Sequence, residues 1–253
     1  MTIPLQAGIV YGPVKSRRLG ASLGVNILPD ARKVCNFNCP YCQYGWTPAG
    51  ARGDSVPEES WPLPDVIASA VEDALIHDGA VDRITLAGNG EPTLHPDFAE
   101  VVDRLRTVRD RRARHARLAI LSNASTLDDP SVAAALLHID ERYMKLDAGD
   151  QATLRALNGS LVPIPRIIEG LSRLNGVILQ SMFTRDEHRK IDNTAPDSVD
   201  SWLDAVSRVK PTAVHIYTID RAPAWKPLRP IPRAELDALA ERVRAMGISA
   251  LVF

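Results

Sequence analysis

Three cysteines stand within eight consecutive residues of this chain, and they are all the cysteines that it has. Cys35, Cys39 and Cys42 follow the spacing CxxxCxxC in the stretch CNFNCPYC. Thiolates are soft ligands that suit zinc and the iron of iron–sulfur clusters, so the motif predicts a metal centre. Because three thiolates fill only three positions, such a centre would keep one position for a further ligand.

Two kinds of centre are compatible with this spacing, and simply buried thiols are a third possibility. A structural zinc ion takes four protein ligands, so a histidine such as His77 or His95 would have to complete the set. An iron–sulfur cluster accepts three thiolates and leaves one iron open for a small molecule. The cluster is the favoured interpretation, because no second CxxC pair occurs that would complete a zinc ribbon.

The elements that must position this motif are short apolar segments that alternate with amphipathic helical patterns. The predicted strands span residues 23–28, 83–88, 117–123, 142–147, 177–183 and 213–220, with a further short strand at the C-terminal end. Strands that alternate with helices predict right-handed βαβ units and a parallel sheet, as a partial barrel or a doubly wound fold. Chemistry in either fold gathers at the carboxyl ends of the strands.

Polar residues do follow these predicted strands. Lys145 and Asp147 are two residues apart, so they share one face of a strand, where a buried lysine needs a partner charge. They are interpreted either as groups that bind a cofactor or substrate carboxylate or as a plain ion pair. Ser122 and Asn123 suit ribose or carboxylate contacts, or else a helix cap or Asx turn. Ser181 and Tyr217, after the fifth strand and at the sixth, are candidates for substrate contact or loop structure.

The whole pattern resembles the radical S-adenosylmethionine superfamily. The aromatic residue before the last cysteine is Tyr41, and AGNGEPTLHPDF after the second strand is similar to the glycine-rich glutamate motif of that superfamily. The resemblance implies a partial (β/α)6 TIM-like barrel with short N-terminal and C-terminal extensions. We expect one domain over residues 1–253, with its core at about 20–225 and a helix and short strand at 226–253.

The resemblance also implies an enzyme with two cofactors. Cys35, Cys39 and Cys42 would hold a [4Fe–4S] cluster, and the open iron would bind S-adenosylmethionine, whose reductive cleavage gives a 5′-deoxyadenosyl radical for hydrogen abstraction. The turn after the second strand would meet the methionyl amino group, although a tight turn alone also explains Glu91. The residues expected at the cofactors are Tyr41, Gly88, Asn89, Gly90, Glu91, Ser122, Asn123, Lys145, Asp147 and Ser181. Lys145, Asp147 and Tyr217 are the catalytic candidates.

A narrower resemblance concerns the N-terminal stretch YGPVKSRRLGASLG and the segments GEPTLHP and YTIDR. These are similar to radical S-adenosylmethionine proteins grouped with wyosine tRNA-base synthases, which use pyruvate and a second cluster. The chain has no cysteine outside the motif, which excludes a second cysteine-bound cluster. Modification of a tRNA base therefore stands beside a nucleotide, a peptide or a phosphorylated metabolite as substrate. A non-catalytic iron–sulfur or metal scaffold is the alternative from another class.

Composition and charge indicate which partners and which cellular compartment to expect. Thirty basic residues against 31 acidic ones give no overall nucleic-acid signature. Seven arginines between residues 104 and 117 fit a solvated helix face, whereas Arg17 and Arg18 could reach an anionic substrate. The N-terminal residues predict no secretory signal, no apolar run predicts a membrane span, and clustered thiols indicate a reducing compartment. We expect a cytoplasmic protein with a flavodoxin-like or ferredoxin-like electron donor and no membrane partner.

Overall fold

The computed structural model describes residues 2–16, 20–51, 57, 60–77, 81–188 and 191–253. Its strands are β1 (Val10–Ser16), β2 (Gly20–Val25), β3 (Arg83–Leu86), β4 (Arg117–Ser122), β5 (Glu141–Lys145), β6 (Val177–Met182), β7 (Thr184–Asp186), β8 (Ile191–Asp192), β9 (Ala213–Tyr217), β10 (Arg229–Pro230) and β11 (Ser249–Val252). The helices are α1 (Pro64–His77), α2 (Phe98–Arg112), α3 (Pro130–Leu136), α4 (Gln151–Asn158), α5 (Ile164–Arg173), α6 (Pro196–Val209) and α7 (Arg233–Ala245).

One mostly parallel sheet organises the chain. The strand order is β1-β2-β3-β4-β5-β6-β9-β11, and every neighbouring pair from β2 onward is parallel. β7, β8 and β10 form a small antiparallel sheet beside it. Helices connect successive parallel strands as the sequence predicts, so the α/β class and the partial barrel are confirmed.

The predicted strands all occur, but their ends and one addition differ. The six strands predicted with bounds each end one to three residues earlier than expected. Asn123 and Asp147 therefore lie on loops, whereas Lys145 and Tyr217 are the last residues of their strands. β1 was not predicted, because Gly12 and Pro13 interrupt its apolar pattern. It lies at the edge of the sheet, where proline is tolerated, and its register with β2 shifts between Tyr11 and Val14.

Local sequence fixes several helix ends near the site. Asp150 caps α4 by accepting a hydrogen bond from the Thr153 amide, and Gly159 ends the helix in the left-handed conformation. Asp129 caps α3 in the same way, with Pro130 at the first helical position. The irregular segment that carries the cysteines after β2, residues 26–51, is here called the cysteine loop. Asn158, the last residue of α4, lies beside it, and its carbonyl accepts from the Asn38 amide at 2.8 Å.

The two faces of the sheet differ in chemistry. Ile84, Leu118 and alternate residues of the other strands pack with the helices in the main hydrophobic core. Ala119 and Tyr143 belong to a small separate cluster on the opposite surface, here called the inner face. Because side chains alternate along a strand, Lys145 shares the inner face with Tyr143.

A short backbone pairing joins the cysteine loop to the turn after β3. Val34 donates to the Asn89 carbonyl (2.8 Å) and accepts from the Glu91 amide (2.9 Å), which makes a parallel bridge with Gly90. Gly90 has φ +148°, and a Cβ at this position would lie 1.7 Å from the Val34 carbonyl oxygen. Glycine is therefore required here by contact with the residue that precedes Cys35.

We expect Gly90→Ala to lower the free energy of unfolding by at least about 2 kcal/mol, because it adds a steric clash to a backbone conformation that favours glycine. Gly247→Ala is the control, because Gly247 also has a positive φ (+77°) but has nothing within 4 Å of the added Cβ. The control should lose about 1–2 kcal/mol from backbone strain alone. Denaturant unfolding measures both losses, and equal losses would contradict the contact with Val34.

Candidate functional site

The three cysteines lie on the irregular loop that follows β2, at the carboxyl end of the sheet. Cys39 is buried, whereas Cys35 and Cys42 are half-buried. Each sulfur accepts a hydrogen bond from a side-chain N–H in a different part of the chain. The contacts are Lys33 Nζ to Cys42 Sγ at 3.2 Å, Asn158 Nδ2 to Cys39 Sγ at 3.4 Å and Asn123 Nδ2 to Cys35 Sγ at 3.7 Å. Donors of this kind stabilise and orient metal-bound thiolates.

The donor set fits a cluster better than a single zinc ion. Within the described ranges, no three His, Cys, Asp or Glu side chains come together around one point as ligands of one ion. His95 is occupied, because Nε2 lies 2.9 Å from the Pro62 carbonyl and Nδ1 accepts from the Asp97 amide. In a cluster each thiolate binds a different iron, which suits sulfurs that are spread along a loop.

Burial controls the protonation of these thiols. It raises the pKa of Cys35 to about 12, with smaller contributions from Cys39 and Glu91, while Lys33 opposes the increase. Burial also raises the pKa of Cys39. These thiols lose their protons when their sulfurs bind a metal, so metal binding here is coupled to proton release.

Segments from both ends of the chain hold the cysteine loop. The Ile3 amide donates to the Gln43 carbonyl (2.9 Å), and the Trp225 amide donates to the Pro40 carbonyl (2.8 Å). Gln6 Nε2 donates to the hydroxyl of Tyr44 at 3.0 Å. The loop is irregular, yet hydrogen bonds from distant segments fix its backbone beside the cysteines.

Asp147 is a buried carboxylate beside the cysteines that accepts three hydrogen bonds. Its buried Oδ2 accepts from the Tyr41 hydroxyl and from Asn158 Nδ2 (2.8 Å), and its Oδ1 accepts from the Met182 amide (2.8 Å). Burial, followed by the charge of Asp147, holds the pKa of Tyr41 well above its ordinary value. Asp147 therefore joins the cysteine loop to β5 and β6 as a structural anion.

Lys145 lies between this carboxylate and β9. Its Nζ is 3.6 Å from Asp147 Oδ2, 3.3 Å from the Tyr217 hydroxyl and 5.1 Å from the centre of the Tyr41 ring. Burial lowers the pKa of Lys145, but Asp147, Tyr217 and Cys39 together raise it above its ordinary value. The side chain remains 20% exposed. The structure thus brings together Tyr41, Lys145, Asp147 and Tyr217 as an ammonium-centred group beside the cysteines.

Glu91 is buried, and both of its carboxylate oxygens accept hydrogen bonds within the protein. One carboxylate oxygen accepts from Thr93 Oγ1 (2.7 Å) and Ser122 Oγ (2.8 Å), and the other accepts from the Asn123 amide (2.5 Å). The Thr93 amide adds a further bond at 3.1 Å, which caps the 3-10 turn over Pro92–Leu94. Glu91 therefore ties the turn after β3 to the end of β4, as the tight-turn interpretation expects.

The rest of that turn is also bonded within the protein. Asn89 Nδ2 donates to the carbonyls of Gln6 and Pro29, both at 3.0 Å, and its amide donates to Asn26 Oδ1 at 3.1 Å. A Cβ on Gly88 would lie 2.5 Å from Asn26 Oδ1. In the structure these glycines admit the backbone and side chains that hold the cysteine loop. The expected contact of this turn with a ligand stays a prediction.

Two predicted cofactor residues lie away from the ammonium-centred group. Ser181 Oγ donates to the Leu146 carbonyl (2.6 Å) and accepts from Trp202 Nε1 (3.1 Å) on the helix-facing side of the sheet. Ser122 Oγ faces Glu91 on that same side. The physical reason is strand alternation, which turns Asn123 and Gln180 toward the inner face when their serine neighbours face the helices.

Asn158 was not predicted, and it is central to the site. Its Nδ2 contacts Cys39 Sγ, the Tyr41 hydroxyl (2.8 Å) and Asp147. No described residue donates a hydrogen bond to its buried Oδ1. A cavity of about 10 Å³ between Asn158, Asp147 and Lys145 has room for roughly one water molecule. The only sequence signal was an asparagine before a helix-ending glycine, which indicates a helix end rather than a ligand site.

The arginines of α2 pair with carboxylates on the surface. Arg104 contacts Glu100 at 2.7 Å, and Arg111 and Arg112 both contact Glu72. This agrees with the predicted solvated helix face and gives no support to a nucleic-acid surface there. The other basic candidates, Arg17 and Arg18, lie outside the described residues.

We expect Glu91→Gln to lower the free energy of unfolding by about 1–3 kcal/mol, because the new amide NH₂ faces donors and leaves buried groups unpaired. Burial raises the pKa of Glu91 above its ordinary 4.5. The difference in free energy of unfolding between the wild-type protein and the variant therefore becomes smaller as the pH rises. The cost should be largest at or below about pH 4.5 and smaller at about pH 8. Denaturant unfolding at both pH values tests this, with the exposed Glu100→Gln as control; equal effects of the two variants would contradict it.

Comparison with known proteins agrees with this geometry. The family model described as the Radical SAM superfamily matches residues 33–185. A UPF0026 protein of Helicobacter pylori strain J99 is 30% identical over 220 residues, which cover 86% of this chain and 68% of that protein. The protein called GTPase Obg of Brachyspira hyodysenteriae is 28% identical over 84% of this chain, which spans only 30% of that protein's length.

Solved structures share the fold at low sequence identity. Streptococcus suis SuiB bound to its precursor peptide SuiA superposes with TM-score 0.65 at 14% identity, over 91% of this chain and 48% of SuiB. TYW1 with a bound lysine–pyruvate adduct gives TM-score 0.63 at 14% identity, over 90% of this chain and 74% of TYW1. The match of the family model to most of the chain, with all three cysteines inside it, establishes that this protein belongs to the radical SAM superfamily, whose enzymes use a [4Fe–4S] cluster and S-adenosylmethionine.

Proposed function

We propose that this chain binds a [4Fe–4S] cluster through Cys35, Cys39 and Cys42 and cleaves S-adenosylmethionine to begin radical chemistry on a separate substrate. The observation that carries the proposal is that each of the three sulfurs has its own N–H donor, each from a different part of the chain. The chain offers no fourth cysteine, so one iron keeps a position for S-adenosylmethionine. When bound, these two groups supply a 5′-deoxyadenosyl radical that abstracts hydrogen from the substrate.

The protein's own part is to hold and shield these groups. Lys33, Asn123 and Asn158 orient the thiolates, and the bonded turn at residues 88–91 keeps the cysteine loop in place. The side chain of Asn158 also presents a buried oxygen that no described residue satisfies, beside a cavity with room for roughly one water molecule.

Lys145 is proposed as the anion-binding residue of the site. Its pKa lies above the ordinary value, so it carries a positive charge throughout the neutral range. Asp147, which accepts hydrogen bonds from Tyr41, Asn158 and the Met182 amide, fixes the position of that charge. A carboxylate of S-adenosylmethionine or of the substrate is the chemistry that a partly exposed ammonium of this kind binds.

The positive charge of Lys145 also distinguishes it from a lysine that forms an imine. An imine requires the neutral amine to attack a carbonyl and lose water, and Asp147 opposes formation of that neutral amine. This argues against transferring to Lys145 the adduct that is seen in TYW1. Modification of a tRNA base remains an alternative that this chain's described residues do not favour over a peptide, a nucleotide or a phosphorylated metabolite.

Borohydride trapping with pyruvate tests the protonation of Lys145. At about pH 7.5 we expect the wild-type protein to gain little reduced adduct at this residue, because the ammonium is not nucleophilic. Asp147→Asn should give about ten times more for each unit by which the pKa of Lys145 falls. Peptide mass spectrometry measures the adduct at Lys145, and circular dichroism checks that the variant is folded. Strong trapping in the wild-type protein would contradict the raised pKa.

The proposed reductant is a flavodoxin-like or ferredoxin-like protein, because cleavage of S-adenosylmethionine consumes one electron. We also propose a reducing compartment, the cytoplasm, since three reduced thiols are needed to bind the cluster. Among the helices that the structure describes, none has the length and apolar character of a membrane span.

An anaerobic product assay tests the proposed function. Dithionite-reduced wild-type protein should convert S-adenosylmethionine to equal amounts of methionine and 5′-deoxyadenosine. Cys39→Ala should give only the background rate, because one ligand of the cluster is lost. Ser181→Ala is the matched control and should keep the activity, since its hydroxyl bonds to Trp202 on the helix side.

The product assay also separates the two classes of function. Chromatography of the two products is the measurement. A protein that carries the cluster but forms no 5′-deoxyadenosine would be the non-catalytic scaffold.

A further inference from the structure

Lys33 is a buried lysine that points its ammonium at the cysteine loop. It is 4% exposed, and its Nζ donates to Cys42 Sγ (3.2 Å) and to the Gly45 carbonyl (2.7 Å). Of the carboxylates that the structure describes, none forms an ion pair with it. A buried cation requires a compensating anion, and the group that Lys33 contacts is a cysteine sulfur.

Lys33 differs in charge from the other two sulfur donors. Asn123 and Asn158 are neutral amides, whereas Lys33 brings a full positive charge to hydrogen-bond distance of Cys42. Charges interact strongly where water is excluded. Hydrogen bonds and net charge around the sulfurs are among the properties that set the potential of an iron–sulfur cluster.

We propose that Lys33 is a positioning residue that tunes the reduction of the cluster through its charge. Reduction adds one negative charge to the cluster, and a buried ammonium beside a ligand sulfur favours that state. The second bond, to the Gly45 carbonyl, holds the ammonium toward Cys42. The inference rests on the proposed function, because it requires the cluster to be bound.

Three substitutions separate charge from hydrogen bonding. Lys33→Arg keeps the charge, Lys33→Gln keeps an N–H donor without the charge, and Lys33→Met removes both. Arg32→Gln is the matched control, because it removes the same charge from the neighbouring exposed position. The measurement is the midpoint potential of each reconstituted protein, followed by electron paramagnetic resonance during an anaerobic redox titration.

The Gln and Met variants should lower the equilibrium constant for reduction at least tenfold, a shift of about 59 mV to more negative potential for one electron. The Arg variant and the Arg32→Gln control should stay within about threefold of the wild type, because the first keeps the charge and water screens the second. A Gln variant at the wild-type potential would overturn the role of charge. So would loss of the cluster from both Gln and Met variants with the Arg variant intact, which would make Lys33 a residue that only retains the cluster.

The outcomes also distinguish this inference from the proposed function. If the Lys33→Met variant alone does not bind the cluster, the comparison of Lys33→Gln with Lys33→Arg decides, because both side chains carry an N–H donor and only arginine carries the charge. Wild-type protein that binds no cluster would defeat the proposed function itself. If the wild-type protein binds the cluster and the Lys33→Gln variant has the same midpoint potential, only the role of Lys33 is contradicted.

Discussion

The site depends on one short stretch of backbone pairing, in which Val34 forms a parallel bridge with the turn after β3. The cysteine loop has no regular secondary structure of its own, so hydrogen bonds from neighbouring elements must fix its position. Gly90 permits the approach of Val34, and Glu91 fastens the same turn to the end of β4. Cys35 follows this bridge directly, so errors in the pairing are transmitted to the first ligand position.

Charge is the second organising property. Two lysines lie beside the cysteines, and their charges are compensated differently. Lys145 has the buried carboxylate of Asp147 beside it, whereas Lys33 contacts Cys42 and a backbone carbonyl. Asn158 links the two sides, because its amide contacts both Cys39 and Asp147. The protein thus surrounds the thiols with cations and N–H donors, an environment suited to an anionic cluster with a carboxylate-bearing ligand.

The sequence predicted the features that depend on local pattern. Cysteine spacing indicated the cluster, and the alternation of apolar segments with helical stripes indicated the parallel sheet. The sequence also predicts the alternation of side chains along a strand. Ser181 is adjacent to Gln180, so the two cannot both face the inner side. In the structure the Ser181 hydroxyl bonds on the helix-facing side, and its expected contact with the cofactor stays a prediction. Glu91 and Asn89 were placed correctly in the turn, but their many internal bonds were not foreseeable.

Other parts of the site could not be predicted, because they depend on contacts between distant segments. Asn158 lies 119 residues from Cys39 in sequence, and an asparagine at a helix end usually serves the helix itself. Lys33 stands close to the first cysteine, but sequence alone does not show whether such a lysine is buried or solvated. The β1 strand was not predicted because of its glycine and its proline, which a strand tolerates at the edge of a sheet or at a bulge.

The most direct test of the central claim is Mössbauer spectroscopy of the anaerobic protein reconstituted with ⁵⁷Fe, before and after addition of S-adenosylmethionine. Three thiolates and one open iron predict a [4Fe–4S] spectrum in which a single iron site changes its isomer shift when S-adenosylmethionine binds. A spectrum with no cluster, or a cluster whose four irons remain unchanged on addition, would contradict the assignment of Cys35, Cys39 and Cys42 as the ligands of an open cluster.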